Sequence, residues 1–178
     1  MNGLWRLLVI GQVGAEVNTA DDRKTALARY LEGPALLERT ISALSATDLD
    51  AVPSQGGWTV RQIVHHVADG DDLWSSGIKA ALGNTPAEFT LQWYWCQPQD
   101  VWAEQWAYRD RAVDVSLALL AATRAHVAQL LDHVPDAWSR SVAVRKPDGE
   151  LVRLTVEAVV AMQADHLEHH VRALESRR

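Results

Sequence analysis

The sequence predicts an all-α protein built as an antiparallel four-helix bundle. Four long segments place apolar residues three or four positions apart, the spacing that gives a helix one apolar face. Segments rich in Pro, Gly, Asn and Asp separate them, and the sequence contains no internal repeat or long heptad array. Helices with one apolar face bury that face against one another, so four such helices joined by loops imply a bundle.

Length, charge and cysteine content limit the class of protein. A chain of 178 residues suits one domain with a single core, and we assign residues 1–18 to an N-terminal arm and residues 19–178 to that domain. The net charge of −6, without a Lys/Arg run before the final two residues, makes nucleic acid an unexpected partner. The apolar residues 4–11 are too few to span a bilayer, so no membrane partner is expected. The single cysteine, Cys96, indicates a reducing compartment, and we expect a cytoplasmic protein.

The first helix is predicted to begin after Thr19, which can cap it, with Asp22 in the capping-box position. Apolar residues continue at helical spacing, and the helix is expected to end near Ser45. Gly33-Pro34 lies inside it and predicts a kink. Residues 48–57 are rich in Pro, Ser, Gln and Gly and predict a loop.

The second helix is predicted to begin after Thr59, with Gln62 completing a capping box. Its apolar face consists of Val60, Ile63, Val64, Val67, Trp74, Ile78 and Leu82. A helical wheel places His66 on a flank of this face and His65 almost opposite it. His66 is therefore the histidine of this helix that we expect to reach the core.

Three aspartates follow these histidines on the second helix. Asp71 falls on the inward side of the helical wheel, an unusual position for a carboxylate. Asp69 and Asp72 are expected to face outward, close to His65.

Residues 83–110 contain Asn and Pro breaks and only one predicted element, a short helix over residues 100–108. Four of the eight tryptophans lie in this segment: Trp93, Trp95, Trp102 and Trp106. Crowded aromatic side chains suit the wall of a pocket or an interface. They equally suit ordinary filling of the core, and both interpretations remain open.

The third long helix shows a bundle seam of apolar residues at alternating steps of four and three, namely Val113, Leu117, Leu120, Val127, Leu131 and Val134. Arg124 interrupts this seam. A charge at such a position is paired or faces a cavity, unless the long side chain extends to the end of the bundle. After this helix, Asp148-Gly149 between alternating apolar residues predicts a hairpin, and Thr155 is expected to cap the last helix.

The last helix carries two histidines near the middle of its apolar stripe. His166 and His170 are four residues apart and point the same way, whereas His169 points to the side. Buried imidazoles are costly to desolvate unless another group uses their nitrogens. A divalent metal is one such group, because neutral imidazole is a common metal ligand. Hydrogen bonds to neighbouring carbonyls or waters are the alternative.

A bundle brings His66 within reach of His166 and His170. Three nitrogen donors with open positions are typical of catalytic rather than structural metal sites, and such an ion activates water or a thiol as a nucleophile. The acidic residues near these histidines could orient imidazoles or transfer protons; they are Asp69, Asp71, Asp165 and Glu168.

Two motifs carry a resemblance to a known family: the run GGWTVRQIVHHVAD at residues 56–69 and HLEHH at residues 166–170. Together they resemble the DinB superfamily, and specifically its YfiT-like branch, from about residue 29 to the end of the chain. The resemblance implies a four-helix bundle, often a homodimer. It also implies a divalent metal, zinc or nickel, held by His66, His166 and His170.

The same resemblance implies a function. Many proteins of this branch are labelled metal-dependent hydrolases, and related members are S-transferases that use thiols such as bacillithiol or mycothiol, or thiol-dependent isomerases. This chain has Gly70-Asp71 where the branch usually carries Ser-His. The sequence offers no Ser/His/Asp arrangement, and Cys96 has no basic neighbour in sequence to activate it.

We therefore expect a metal-dependent enzyme, and favour an S-transferase that joins a low-molecular-weight thiol to a small electrophile. The alternatives are a metal-dependent hydrolase and a non-catalytic metal-binding or stress-response bundle. If Arg124 points inward, it could bind a carboxylate of the thiol or substrate.

Overall fold

A computed structural model describes residues 20–54 and 56–177. Four long helices dominate it: α1 (Ala20–Ile41), α3 (Val60–Gly83), α6 (Val113–His133) and α7 (Val156–Glu175). The shorter elements are α2 (Ala46–Asp50), β1 (Glu88–Thr90), α4 (Gln92–Trp95), α5 (Gln99–Gln105), β2 (Ser141–Arg145) and β3 (Leu151–Thr155). The predicted four-helix bundle is thereby confirmed, but the antiparallel order predicted for it holds only for some pairs of neighbouring helices, because a long connection lets α6 run parallel to α3. The predicted arm at residues 1–18 and the cap at Thr19 lie outside the described residues.

The long helices form two parallel pairs. Asp71 of α3 faces Arg124 of α6, and His65 faces Ser116, so both helices run in the same direction. Helices α1 and α7 are likewise parallel, whereas α3 and α7 are antiparallel. Because α3 and α6 are parallel, the segment between them must return along the bundle, as long crossover connections do.

Local capping signals set the starts of two helices. The Thr59 hydroxyl accepts from the Gln62 backbone N–H, and the Gln62 side chain accepts from the Thr59 N–H, which completes the predicted capping box of α3. The Thr155 hydroxyl accepts from the Ala158 N–H at the start of α7, also as predicted.

The first helix ends earlier than predicted, at Ile41 rather than near Ser45. Ser45 instead caps the short helix α2 in a capping box with Asp48, and the end of α2 overlaps the segment predicted to be a loop. The alternative use of Ser45 has a physical cause, because serine followed by an acidic residue three positions later favours a helix start. Helix α1 continues through Pro34.

A small three-stranded sheet combines β1, which precedes α6, with β2 and β3, which follow it. Strands β2 and β3 pair antiparallel around the turn at residues 146–150, which confirms the predicted hairpin. Strand β1 pairs parallel to β2, a pairing that the sequence did not indicate.

The apolar core consists of two clusters stacked along the bundle. One surrounds Leu37, Val64 and Leu120, and the other surrounds Ile78 and Val127. A buried polar layer lies between them on all four long helices, made of Tyr30, Asp71, Arg124 and Gln163. None of the helices in the described ranges is long and apolar enough to cross a membrane.

Candidate metal centre

Three histidines from two helices meet at one point. His66 projects from α3, and His166 and His170 project from α7 one turn apart. The Nε2 atom of His166 lies 3.1 Å from that of His66 and 3.0 Å from that of His170. One nitrogen from each ring falls within 4.8 Å of the other two. These are the three residues that the sequence selected as metal ligands.

Burial keeps these imidazoles neutral. It lowers the pKa of His66 to about 4. It also lowers the pKa of His170 to about 3, with a smaller contribution from the neighbouring His66. The pKa of His166 falls well below its ordinary value through burial and through the two adjacent rings. At neutral pH all three rings are therefore uncharged, the form in which imidazole binds a metal.

The geometry fits one small divalent ion. Nitrogen ligands about 2.0–2.1 Å from a tetrahedral ion lie about 3.3 Å from each other, slightly further apart than His166 Nε2 is from the Nε2 atoms of His66 and His170. His166 and His170 are half-buried, so the cluster reaches the surface on one side. The three Nε2 atoms have only one another as hydrogen-bond partners within the described ranges. Three nitrogens and an open side correspond to a site that can accept water or substrate, and metal binding itself stays a prediction.

Aromatic packing orients the His66 ring. The indole of Trp58 lies 4.8 Å from it, edge to face, and the rings of His166 and His170 lie 5.0 and 5.2 Å away. The other ring nitrogen, His66 Nδ1, is buried and has no hydrogen-bond partner in the described part of the chain. Ring contacts, rather than a hydrogen bond to Nδ1, therefore fix its direction.

The prediction that His65 faces away from the core is wrong, because His65 is fully buried. With its proton on Nε2, the ring donates to the Arg111 carbonyl (3.2 Å), and Nδ1 accepts from the Ser116 hydroxyl (2.8 Å). The helical wheel missed this burial because α6 and the residues before it cover a second side of α3. His65 is a satisfied core histidine beside the metal-ligand candidate.

Asp69 was also expected to face outward, and it is half-buried instead. Its carboxylate accepts from both terminal nitrogens of Arg111, at 2.8 and 3.1 Å. Asp69 and Arg111 line a cleft of about 250 Å³ together with Asp72, Leu73 and Trp106. The exposed position of Asp72 agrees with its prediction.

Asp71 and Arg124 form a buried ion pair. Arg124 Nε donates to Asp71 Oδ2 (2.5 Å) and Nη2 donates to Oδ1 (3.2 Å), and both side chains are fully buried. Burial raises the pKa of Asp71, and the adjacent guanidinium opposes that rise. Of the two interpretations of Arg124, the structure shows the paired one. Because most N–H groups of Arg124 donate to protein oxygens, little of the guanidinium is left for a substrate carboxylate. The substrate-binding role of Arg124 stays a prediction.

The other two acidic candidates lie on the solvent side of α7. Arg29 of α1 donates to Asp165 (2.5 Å) and to both carboxylate oxygens of Glu168 (2.8 and 2.7 Å). Hydrogen bonds from Arg29 lower the pKa of Glu168. All four carboxylates that the sequence offered for proton transfer are therefore paired with arginine.

The tryptophan-rich segment packs against the core and also lines part of the cleft. The rings of Trp102 and Trp106 stack on Tyr94 at 5.6 and 5.8 Å and pack against the core, while Trp93 remains 47% exposed. Ring contacts then continue through Tyr108 to Trp58, which touches His66. The sequence did not single out Tyr108. Its hydroxyl is buried without a partner in the described residues, which no sequence pattern signals.

These observations define a class of protein: a four-helix bundle with a three-histidine cluster between two facing helices. The family model of the DinB superfamily matches residues 29–174, and the chain belongs to that superfamily. Its relatives place it in the YfiT-like branch, as its motifs predicted.

Several relatives share most of their length with this chain. YfiT of Bacillus subtilis is 26% identical, with 91% of this chain and 88% of that protein covered. A Bacillus mycoides protein is 32% identical, with coverages of 82% and 79%. Both are provisionally named metal-dependent hydrolases.

A solved structure shows the same fold. The structure of YfiT from Bacillus subtilis superposes with a TM-score of 0.74 at 23% identity and covers 89% of this chain and 86% of that one. It is described as a four-helix bundle of unusual topology.

Proposed function

We propose that this protein is a hydrolase that depends on one divalent metal ion held by His66, His166 and His170. The main support is the meeting of three neutral, largely buried nitrogens that have no hydrogen-bond partner except one another. Polar atoms in this state are costly in a folded protein unless a ligand occupies them. The provisional names of the relatives support the same assignment.

The ligand set defines what chemistry the ion would supply. When bound, a divalent ion acts as a Lewis acid and lowers the pKa of a coordinated water toward neutrality. Three neutral imidazoles do not offset its charge, and no carboxylate of the described residues belongs to the cluster.

The protein supplies orientation and shelter. Trp58 packs against His66 and shields one side of the cluster, while His166 and His170 leave another side accessible to a small molecule. Asp69, Asp71 and Glu168 are each engaged by an arginine. Proton transfer by one of these carboxylates would require an ion pair to break, so we assign them no acid–base role.

The S-transferase favoured by the sequence receives no support from the names of the relatives. It stays a prediction, as do the low-molecular-weight thiol, the choice of zinc or nickel, the small-molecule substrate, the homodimer and the cytoplasmic location.

Metal binding is tested first. Wild-type protein, His170→Ala and His169→Ala are titrated with Zn²⁺ and Ni²⁺ by calorimetry after chelator treatment. His169 is the matched control, because it is the neighbouring histidine and its side chain is exposed. We expect one ion per chain in wild type and His169→Ala, and an affinity at least about 100-fold lower in His170→Ala, beyond the usual effect of changes outside the ligand set. Equal affinity in all three proteins would overturn the site.

Activity then separates the candidate functions. The metal-loaded wild type is assayed for hydrolysis of p-nitrophenyl esters, and for transfer of thiols to monochlorobimane. Hydrolysis that His170→Ala loses and His169→Ala keeps would support the hydrolase. Thiol transfer with the same dependence, without hydrolysis, would instead establish the S-transferase. Metal binding with neither activity would favour the non-catalytic bundle.

A further inference from the structure

Arg124 connects all four long helices from a fully buried position. Besides its two bonds to Asp71 on α3, its Nη1 donates to the Tyr30 carbonyl on α1 (2.7 Å), and its Nη2 donates to the Gln163 carbonyl on α7 (3.0 Å). Four of the five N–H groups of a guanidinium are thereby satisfied. A lysine has no planar group that could reach these oxygens together.

Helix α1 is shaped to receive this side chain. In a regular helix the Tyr30 carbonyl would accept from the N–H of residue 34, but that residue is Pro34 and has no N–H. The carbonyl accepts from Arg124 instead. A Cβ at Gly33 would clash with Arg124 Nη1, so glycine leaves the space that the guanidinium occupies. The Tyr30 ring centroid lies 4.4 Å from Arg124 Cζ, a cation–π contact.

The same layer bridges the two helices that carry the histidines. With its amide oriented to satisfy both neighbours, Gln163 donates to Asp71 Oδ1 (2.6 Å) and accepts from Trp74 Nε1 (3.3 Å). Asp71 follows His66 on α3 by little more than one turn, and Gln163 precedes His166 on α7 by about one turn. A continuous set of hydrogen bonds therefore joins α3 to α7 one turn from the histidine cluster.

We propose that Asp71 and Arg124 are positioning residues that hold α3 and α7 at the separation the metal centre needs, an inference that rests on the function proposed above. His66 approaches His166 and His170 across the interface of these two helices: its Nε2 lies 3.1 Å from that of His166, and one nitrogen of each ring lies within 4.8 Å of the others. A small relative shift of the helices would remove His66 from a common ion. Well-packed apolar residues can replace a buried ion pair with little loss of stability, so what the pair adds is a defined geometry.

The experiment replaces the pair by apolar residues in the Asp71→Leu/Arg124→Met double variant and uses Co²⁺ as the probe. We expect a folded protein whose Kd for Co²⁺ is about 10- to 100-fold higher than that of wild type, the range seen for groups that orient metal ligands. The visible absorption of bound Co²⁺ should also change, because it reports coordination geometry, which overall stability does not alter.

The matched control is Arg23→Met/Glu157→Leu. This ion pair likewise joins two of the long helices, here α1 and α7 (3.0 Å), but it lies near the start of α7, away from the histidines. Its removal should leave the Kd and the spectrum at wild-type values. Arg124→Lys is the second test, since it keeps the charge beside Asp71 and loses the bridging geometry. Like the double variant, Arg124→Lys should have a higher Kd for Co²⁺ than wild type.

The outcomes separate this inference from the proposed function. Wild-type Kd and spectrum in the folded double variant, or in Arg124→Lys if the double variant does not fold, would overturn the positioning role and leave the metal site intact. An equal loss of affinity in the Arg23/Glu157 control would also overturn it. A wild-type protein that binds no Co²⁺ would overturn the proposed function and this inference with it.

Discussion

Two buried polar clusters lie one turn apart on the same helices, and they differ in how their hydrogen bonds are satisfied. In the Arg124 layer, the guanidinium N–H groups and the Asp71 carboxylate have partners within the protein. In the histidine cluster, the Nε2 atoms have only each other. The first pattern is that of a structural network, and the second is the pattern expected of the metal site proposed above. The two clusters also differ in burial, because the layer is fully buried whereas His166 and His170 are half-buried.

The largest expected effect of a single substitution is the loss of one partner in the satisfied layer. Asp71→Ala leaves the Arg124 charge buried without its partner, and should lower the free energy of unfolding by about 3–5 kcal/mol. Urea denaturation of the metal-free protein measures it. Asp72→Ala, at the exposed neighbouring position, is the control and should change stability by less than about 0.5 kcal/mol. If the two variants are equally stable, the layer is not the structural network inferred from its contacts.

The histidine cluster should instead make the stability of the folded protein depend on pH in the acid range. The pKa of His66 is about 4 and that of His170 about 3 in the folded protein, while unfolded histidine titrates near 6.5. Between these values the unfolded chain binds more protons, so stability falls as pH decreases, by up to about 1.4 kcal/mol per pH unit for each histidine. Above about pH 7 this contribution is complete and constant.

Urea denaturation of chelator-treated protein between pH 4 and 8 measures this slope. The double variant His66→Gln/His170→Gln should have a shallower slope over the acid range. A slope identical to that of wild type would show that other groups control acid stability, and would weaken the contrast between the two clusters.

The smaller of the two single-substitution effects tests how tightly the Arg124 layer is packed. Gly33→Ala adds a methyl group where Arg124 Nη1 lies, and overpacking of this kind costs about 1–3 kcal/mol. The control is Gly83→Ala, which meets no atom within 4 Å. Thermal or urea denaturation of both variants measures the difference. Gly33→Ala as stable as its control would mean that the guanidinium can move aside.

Local sequence patterns were enough to predict much of the fold and to predict which three histidines come together. The capping box at Thr59, the N-cap at Thr155 and apolar spacing located α3 and α7, and the i, i+4 spacing of His166 and His170 placed both rings on one face. The bundle class then indicated which helix supplies the third ring. Each of these steps depends on residues close together in sequence.

The errors arose where distant segments decide burial. Helix α3 packs against both α6 and α7, so its buried arc is wider than its apolar face and includes His65. Asp69 is drawn inward by Arg111, 42 residues later in the chain. The parallel course of α3 and α6, and the pairing of β1 with β2, likewise depend on the route of the connecting chain, which no local pattern records.

That route has a consequence for how such proteins diverge. Helix α3 is 24 residues and about 36 Å long, and a parallel α6 obliges residues 84–112 to travel back over that distance along the outside of the bundle. This returning strip supplies Trp106 and Arg111 to the cleft and Tyr108 to the ring contacts beside His66, but it contains none of the three histidines. Mutation and insertion there can change the cleft and the ring contacts beside His66 while the three histidines stay in place.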